Sequence, residues 1–260
     1  LSLDDACPST LAGAILSIAD KSDSIIGVVG IGVQVTGSKD PFGLRRNAHG
    51  ICKIVIEKKL HFSLSRLVDK VVDIYGEKLQ ESKDSIRNTC LEFFSNRLRF
   101  IFEKQRYRYD LINAAVSAGI DDIYHCYLRL KALDSLKDSV HFEPLVLISK
   151  RVNNILRDQP LFKVNPDLFS DKEERELYTT YSIVRQNILP LIGKGDFAQA
   201  QRIIFRMRSS IDNFFDHVLV MAEDKKLKRN RIALLQEISK LLLQVADYSQ
   251  VVIQGQNKSS

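Results

Sequence analysis

The sequence has no tryptophan, only six prolines and twelve glycines in 260 residues, and no long apolar run. A membrane-spanning helix needs roughly 18–20 consecutive apolar residues. The best candidate, residues 25–35, is short and is interrupted by Gly27, Gly30 and Gly32. Leu1 is not a methionine, and no basic segment precedes an apolar stretch. We therefore predict neither a signal peptide nor a membrane partner, and we expect the chain to be part of a longer protein.

Motifs for metal binding and for catalysis are also missing. The four cysteines (Cys7, Cys52, Cys90 and Cys126) form no CxxC pair, and the five histidines form neither HxH nor HExxH. Closed zinc sites usually contain ligand pairs two to five residues apart. The glycines at 27–32 lack the spacing and the lysine of a phosphate-binding loop. We predict unpaired thiols in a reducing compartment, no metal site and no catalytic residue in this chain.

What the chain does contain is helical periodicity. Apolar residues make up 45% and charged residues 27%, which is typical of a globular protein. After Gly50 apolar residues recur every three or four positions, as in residues 86–102, 197–221 and 227–252. A shorter stretch at 182–191 is predicted to end at Pro190 and the glycines that follow it. No stretch alternates as a half-buried strand would, so the predicted fold class is all-α, with residues 28–35 as an extended loop.

Proline and glycine positions divide the chain into three predicted blocks. Residues 1–60 hold a helix and a Gly/Pro loop, residues 61–139 a helical connecting segment, and residues 140–260 a second helical region. No internal repeat of fixed period is present, which weighs against a solenoid.

Positive charge is unevenly distributed. The chain has 38 Lys+Arg against 32 Asp+Glu, a net charge of +6, which favours a polyanionic partner without proving one. Residues 39–66 contain seven basic and two acidic residues, and residues 97–108 contain five basic and one acidic. Tyr107 and Tyr109 interleave with that second group, an arrangement that can stack bases but that also occurs on ordinary helix surfaces.

The stretch 201–218 separates into two faces when it is drawn as one helix. Apolar residues fall on one side, and Arg202, Arg206, Ser209 and Asn213 form a stripe on the other. Such a stripe can follow a phosphate backbone or can be a solvated face. Asp224 is a candidate cap for the next helix, whose first turns are rich in lysine and arginine. Cations at the start of a helix oppose its dipole and so are slightly unfavourable. Either a partner that uses this positive charge or chance explains their presence.

Three groups of residues carry a resemblance to a known family. The first is IADKSD at 18–23 followed by TGSKDPFGLRR at 36–46, and the second is SKRVNNIL at 149–156. The third comprises FFD at 214–216, VMAED at 220–224, NR at 230–231 and VADYS at 245–249. In this order and spacing they resemble the C-terminal part of the beta subunit of the bacterial two-subunit glycyl-tRNA synthetase. Family members commonly have alanine where this chain has Gly43, a glycine that we expect to loosen the start of the following helix.

The resemblance implies a division of labour between two subunits. The alpha subunit would hold the class II site that uses ATP and Mg²⁺ to activate glycine, so this chain would contain no cofactor. Block 140–260 would be a DALR-type anticodon-binding domain, and block 1–60 the end of an HD-type helical region. The Ala19-Asp20 string resembles the last element of the HD-type metal site, but the upstream ligands are absent. Asp20 and Asp23 are instead interpreted as polar residues near a helix end. The expected partners are glycine tRNA and either the alpha subunit or a fused alpha region. DNA is not an expected partner, and the expected compartment is the cytoplasm.

The predicted tRNA-contacting residues combine this resemblance with the charge pattern. The alternative is a helical scaffold that docks the other subunit without touching tRNA. The candidate contacts are Lys39, Arg45, Arg46, Arg151, Arg202, Arg206, Lys225, Lys228, Arg229, Asn230 and Arg231.

Overall fold

The structure, a computed structural model, describes residues 6–33, 40 and 42–253. Lys39, one of the predicted contact residues, lies outside them. Within the described residues the chain is helical and has no strand, so the predicted all-α class is confirmed. No helix in this part of the chain is both long and apolar enough to cross a membrane. The α-helices are α1 (Leu11–Gly30), α2 (Leu44–Lys58), α3 (Leu64–Tyr75), α4 (Lys83–Lys104), α5 (Tyr109–Ser117), α6 (Ile123–Leu136), α7 (Phe142–Leu156), α8 (Lys172–Gly193), α9 (Phe197–Ile204), α10 (Arg208–His217) and α11 (Lys225–Val245).

The helices form two compact units. The first comprises Leu1–Ile112 with Gly119–Tyr127, and the second comprises Asn113–Ala118 with Leu128–Ser260. The segment 61–139, which the sequence analysis treats as one connecting block, is divided between them. Helices α5 and α6 each contribute residues to both units, because unit membership follows packing rather than the position of turns.

In the first unit, helices α1 to α4 pack on one another. The starts of three of these helices are fixed by side-chain caps, as Thr10, Ser63 and Ser82 each accept a hydrogen bond from a backbone N–H three residues further on. The apolar face predicted for residues 86–102 lies in the core, apart from Phe93, which is partly exposed. None of the four cysteines is in a disulfide, as expected.

The glycine-rich stretch after residue 26 differs from the prediction. Helix α1 continues to Gly30 instead of giving way to a loop at residue 28. A Cβ at Gly27 would lie 2.8 Å from the Tyr75 hydroxyl, and one at Gly30 would lie 2.5 Å from Leu79 Cδ2. The glycines therefore allow close packing against the α1 backbone. Asp20 and Asp23 consequently lie in the middle of α1 and not near its end.

In the second unit, helices α7 to α11 surround a separate core. Helix α8 begins with a capping box formed by Asp171 and Glu174. The helix continues through Pro190 and ends at Gly193, so the predicted stop at the glycines is confirmed and the predicted stop at the proline is wrong. Proline removes one N–H donor and crowds the carbonyl four residues before it, but Pro190 lies in the last turn. The Lys194 N–H still bonds the Pro190 carbonyl at 3.2 Å and closes that turn.

The stretch 201–218 is not one helix. Helix α9 ends at Ile204, a 3-10 turn covers Phe205–Met207, and α10 begins at Arg208. The predicted apolar face is nevertheless buried throughout, from Ile204 and Met207 to Val218. The tighter turn changes the helix geometry without exposing the apolar side chains.

Candidate nucleic-acid interface

The clearest basic surface in the second unit is the arginine stripe, defined as Arg202 and Arg206. Arg202 lies on α9 and Arg206 in the 3-10 turn, and both side chains are exposed. Neither guanidinium has a hydrogen bond or ion pair to another described residue. Behind them, Ile204 and Met207 are fully buried, so the backbone that carries the arginines is held by the core. The stripe thus presents two unpaired positive charges from a fixed support.

The start of α11 carries a second group of cations. Asp224 accepts hydrogen bonds from the backbone N–H groups of Lys226 and Leu227, which lower the pKa of its carboxyl. Lys225 is exposed and Lys228 is half-buried. Arg229 is exposed, and its guanidinium lies 5.8 Å from the centroid of the Phe162 ring. The capping carboxylate provides the negative charge that the helix dipole favours at this end.

Two of the predicted contact residues on α11 point into the protein. Asn230 is 3% exposed, and its amide pairs with the backbone of Asn165 through bonds of 2.8 and 3.0 Å. Gln236 holds the same irregular segment in the same way, by accepting from Phe162 and donating to Pro160. These amides satisfy backbone groups that no helix or sheet pairs. The role of Asn230 in the structure is to anchor residues 160–165.

Arg231 is also buried, at 5% exposure. Its guanidinium donates to Glu174 at 3.0 Å, to Asp171 at 2.6 Å, to the Ser170 hydroxyl at 3.0 Å and to the Leu219 carbonyl at 2.9 Å. The structure therefore gives Arg231 partners inside the chain instead of the exposed position that we expected. The sequence contained one signal of an internal partner for a cation. The capping-box pattern at Asp171 and Glu174 brings two carboxylates together at the start of a helix.

Glu174, the main partner of Arg231, has no exposed surface. Burial by itself raises the pKa of its carboxyl. Hydrogen bonds from Arg231 and from the backbone N–H groups of Asp171 and Ser170 outweigh that effect, so the pKa lies below its ordinary value of 4.5. Glu174 is therefore charged at neutral pH, and the pair is a buried ion pair that fixes α11 against the start of α8.

Helix α7 adds an arginine and a polar cleft. Arg151 is exposed, and its guanidinium carbon lies over the Phe215 ring, 4.0 Å from the centroid, in a cation–π contact. An open cleft of about 520 Å³ lies at the end of the same helix. Our sequence analysis missed this cleft, because its lining comes from three separate parts of the chain. The lining residues are Lys150, Asn153, Asn154, Leu156, Arg157, Ser239 and Ser249.

In the first unit, two predicted contacts lie at the start of α2. Arg46 is exposed, whereas Arg45 is half-buried and its backbone N–H donates to Asp40 Oδ2 at 3.0 Å. Gly43 caps the helix in the left-handed conformation, with φ of 67°. Glycine adopts this conformation at little cost, so Gly43 fits the turn that starts the helix and does not loosen it.

The basic group at 97–108 is largely used within the first unit. Arg97 and Lys104 both lie over the Phe100 ring, at 5.0 and 5.5 Å from its centroid. Arg108 pairs with the buried Asp110 at 2.7 Å. Of the two interleaved tyrosines, Tyr109 is exposed. These contacts favour the interpretation of residues 97–108 as an ordinary helix surface over their interpretation as a base-stacking site.

One cluster of potential metal ligands occurs in the described residues, formed by His61, Asp122 and His125. We did not predict it, because the motifs sought in the sequence were pairs of cysteines or histidines, and His61 is 61 residues away from Asp122.

Comparison with known families identifies the second unit first. Residues 147–247 match a family model described as the DALR anticodon binding domain. That match covers most of α7 to α11, the helices that carry the arginine stripe and the polar cleft. The second unit therefore belongs to the class of all-helical anticodon-binding domains.

The rest of the chain and its relatives identify the family. Residues 2–117 match a family model described as glycyl-tRNA synthetase beta subunit. The glycine--tRNA ligase beta subunits of Syntrophus aciditrophicus and Myxococcus xanthus are 35% and 39% identical to this chain over 95% of its length. That of Desulforamulus reducens is 37% identical over 96%. This chain spans 36% of the length of each of these relatives. The chain belongs to the glycyl-tRNA synthetase beta-subunit family, and the resemblance given by its sequence is confirmed.

Proposed function

We propose that this chain is the tRNA-binding C-terminal part of a glycyl-tRNA synthetase beta subunit. It would contribute recognition of the anticodon arm to the ATP-dependent attachment of glycine to its tRNA. The observation that carries the proposal is the exposed, unpaired arginine stripe on helices that match an anticodon-binding domain. The proposed protein partner is the alpha subunit or a fused alpha region, which would hold the aminoacylation site and bind ATP and Mg²⁺. The proposed compartment is the cytoplasm.

The proposed contacts divide by chemistry. Arg202, Arg206 and Lys225 would neutralise phosphates, and this type of contact supplies affinity and makes binding depend on salt. The polar cleft, with its amides and hydroxyls beside Lys150 and Arg157, would take an unstacked base, since single-stranded loops are recognised through exposed base edges. Arg151, Lys228 and Arg229 complete the candidate set in this unit, and Arg46 with Arg45 and Lys39 would contact tRNA backbone or a neighbouring subunit.

Asn230 and Arg231 are not part of the proposed contact surface, because their polar groups are used in the interior. Their contribution to binding would be indirect, through the shape of the second unit.

The test is a titration of the 260-residue chain with unmodified glycine tRNA and with a non-cognate tRNA at two salt concentrations. The test variant combines Arg202→Glu with Arg206→Glu. The matched control combines Lys172→Glu with Lys194→Glu, which changes the net charge equally at two exposed positions at the ends of α8. We expect the test variant to bind at least tenfold more weakly and to have a shallower salt slope, by roughly 0.7–0.9 for each phosphate contact removed.

Equal losses in the two variants would show that net charge alone governs binding and would reject the stripe as a contact. If the wild-type chain preferred neither tRNA, selectivity for glycine tRNA would have to come from outside these 260 residues.

A docking scaffold is the second candidate function, and one observation favours it. Helix α1 exposes three large apolar side chains, Leu11, Ile15 and Leu16, of which Leu16 is 72% exposed. Beside them lies an apolar groove that includes Leu60, Phe62 and Leu67. Binding of the alpha subunit that is independent of salt and lost in Leu16→Asp, together with no binding of tRNA, would favour the scaffold over the tRNA-binding function.

A further inference from the structure

Two histidines and an aspartate that are distant in the sequence meet in the first unit. His61 lies between α2 and α3, Asp122 lies directly before α6, and His125 lies in the first turn of α6. Asp122 Oδ2 is 2.9 Å from His61 Nδ1 and 3.9 Å from His125 Nδ1. One ligand atom from each residue lies within 4.8 Å of the other two.

The backbone around this cluster is held in place by hydrogen bonds. The Leu64 N–H donates to the Asp121 carbonyl at 2.7 Å, and the Ser65 N–H donates to Asp121 Oδ1 at 2.8 Å. The segment that carries His61 is therefore bonded to the residue directly before Asp122. This connection brings together ligands that are 61 residues apart, without help from a metal ion.

The Asp122 carboxylate is oriented by the helix that follows it. Its Oδ1 accepts the backbone N–H of His125 at 2.8 Å, as a capping side chain does. Its Oδ2 is directed to the imidazoles. Outer hydrogen bonds of this kind fix the orientation of metal-ligating groups in known sites.

We propose that His61, Asp122 and His125 bind one divalent first-row transition-metal ion, for which Zn²⁺ is the best match. Imidazole nitrogen suits zinc and its neighbours, whereas magnesium and calcium prefer oxygen ligands alone. With metal–ligand bonds of about 2.0–2.1 Å, the ligand atoms of a tetrahedral site lie roughly 3.3–3.4 Å apart. The two distances from Asp122, 2.9 and 3.9 Å, lie on either side of that value. All three ligand atoms lie within 4.8 Å of one another, so forming the site requires side-chain shifts of up to about 1.4 Å.

A hydrogen bond from His61 to Asp122 is the simpler explanation of part of this geometry. It involves one imidazole and does not by itself bring the second imidazole to within 3.9 Å of the same carboxylate. The two rings are in T-shaped contact, with centroids 4.8 Å apart at 66°. The Nδ1 atoms of both lie within 3.9 Å of Asp122 Oδ2. The side chain of His61 is 49% exposed, whereas those of Asp122 and His125 are 23% and 19% exposed, so solvent can reach the site and fill a fourth coordination position.

The experiment measures Zn²⁺ binding to the whole chain by competition with a fluorescent chelator, and Co²⁺ binding by visible absorption. All proteins carry Cys7→Ser, which removes the one thiol that is not fully buried. His61→Ala and His125→Ala are the test variants, and His141→Ala and His217→Ala, at exposed histidines of the other unit, are the matched controls. The His61 side chain is about half exposed, so we expect its replacement to preserve the fold even if that of His125 does not. Circular dichroism checks this for both variants.

We expect one Zn²⁺ per chain, a more than tenfold loss of affinity in each test variant, and no change in the controls. Co²⁺ should give the visible bands of a four-coordinate site, and these should disappear in His61→Ala. No binding by the parent protein, or binding that the two test variants leave unchanged, would overturn the proposal.

Discussion

Arginine residues of the second unit have opposite environments. Arg202 and Arg206 are exposed on a buried apolar support, whereas Arg231 is enclosed and contacts two carboxylates, a hydroxyl and a carbonyl. The stretch 225–231 around Arg231 contains five basic residues in seven, and the stretch 202–208 contains three in seven, so the more basic stretch holds the buried arginine. The comparison shows that the function of a cation depends on where its partners lie. A guanidinium with internal partners orders the fold, and one without them is available to a polyanion.

The same contrast occurs within the first two turns of α11. Lys225 and Arg229 are exposed, and Asn230 and Arg231 are buried. Neighbouring residues on a helix point about 100° apart, so a continuous basic run necessarily covers both faces. A run of cations is therefore a weak guide to a binding surface.

The largest expected effect comes from removing the buried arginine. Arg231→Ala leaves the carboxylate of Glu174 buried without its charged partner. We expect a loss of about 3–5 kcal/mol in the free energy of unfolding, measured by urea denaturation. Arg229→Ala is the matched control on the same helix, and we expect a change within about 0.5 kcal/mol. A loss below about 1 kcal/mol for Arg231→Ala would mean that the ion pair does not hold α11 and α8 together.

Removing the buried amide should have a smaller effect. Asn230→Ala leaves the N–H and the carbonyl of Asn165 without their partners, which costs roughly 1–3 kcal/mol of unfolding free energy. The matched control is Asn213→Ala on α10, whose side chain is half-exposed. Proteolysis is a second measurement, because residues 160–165 should be cleaved faster in the variant. Equal cleavage of variant and wild type would contradict an anchoring role.

The buried pair of Arg231 and Glu174 should also make the stability of the fold depend on pH in the acid range. Because the pKa of Glu174 is lower in the folded state than its ordinary value of 4.5, the unfolded state binds the proton more tightly. The stabilisation is therefore complete above about pH 4.5 and is lost as the pH falls through the folded-state pKa. Thermal unfolding between pH 7 and pH 3 checks this. Glu174→Gln should be less stable at pH 7 and should lose less stability on acidification, and parallel curves would contradict the assignment.

The smallest effect on stability is expected at the arginine stripe. Replacing Arg202 and Arg206 by glutamate should change the unfolding free energy by no more than about 0.5 kcal/mol each, since neither side chain has a partner to lose. The same substitutions should weaken tRNA binding, as proposed above. Urea denaturation beside the binding titration separates the two effects. Strong destabilisation would show that Arg202 and Arg206 support the fold as Arg231 does, and this would contradict the comparison between the exposed and the buried arginines.

Part of the candidate site could be predicted from the sequence. The apolar face behind the arginine stripe followed from helical periodicity, even though a 3-10 turn at Phe205–Met207 divides the predicted helix. The burial of Arg231 could not be predicted from periodicity, because its partners at Asp171 and Glu174 lie about 60 residues away. The polar cleft at the end of α7 was missed for the same reason.

By itself the sequence determined the helical class, the apolar faces of the helices and the family, because periodicity and short residue strings are local properties of the chain. Only the tertiary structure decided which cations are internal, why α1 continues through Gly27 and Gly30, and that His61 lies beside Asp122 and His125. Each of these depends on contacts between residues far apart in the chain. A local pattern fixes which side of a helix is apolar, but what lies against a given side chain is fixed only when distant segments pack.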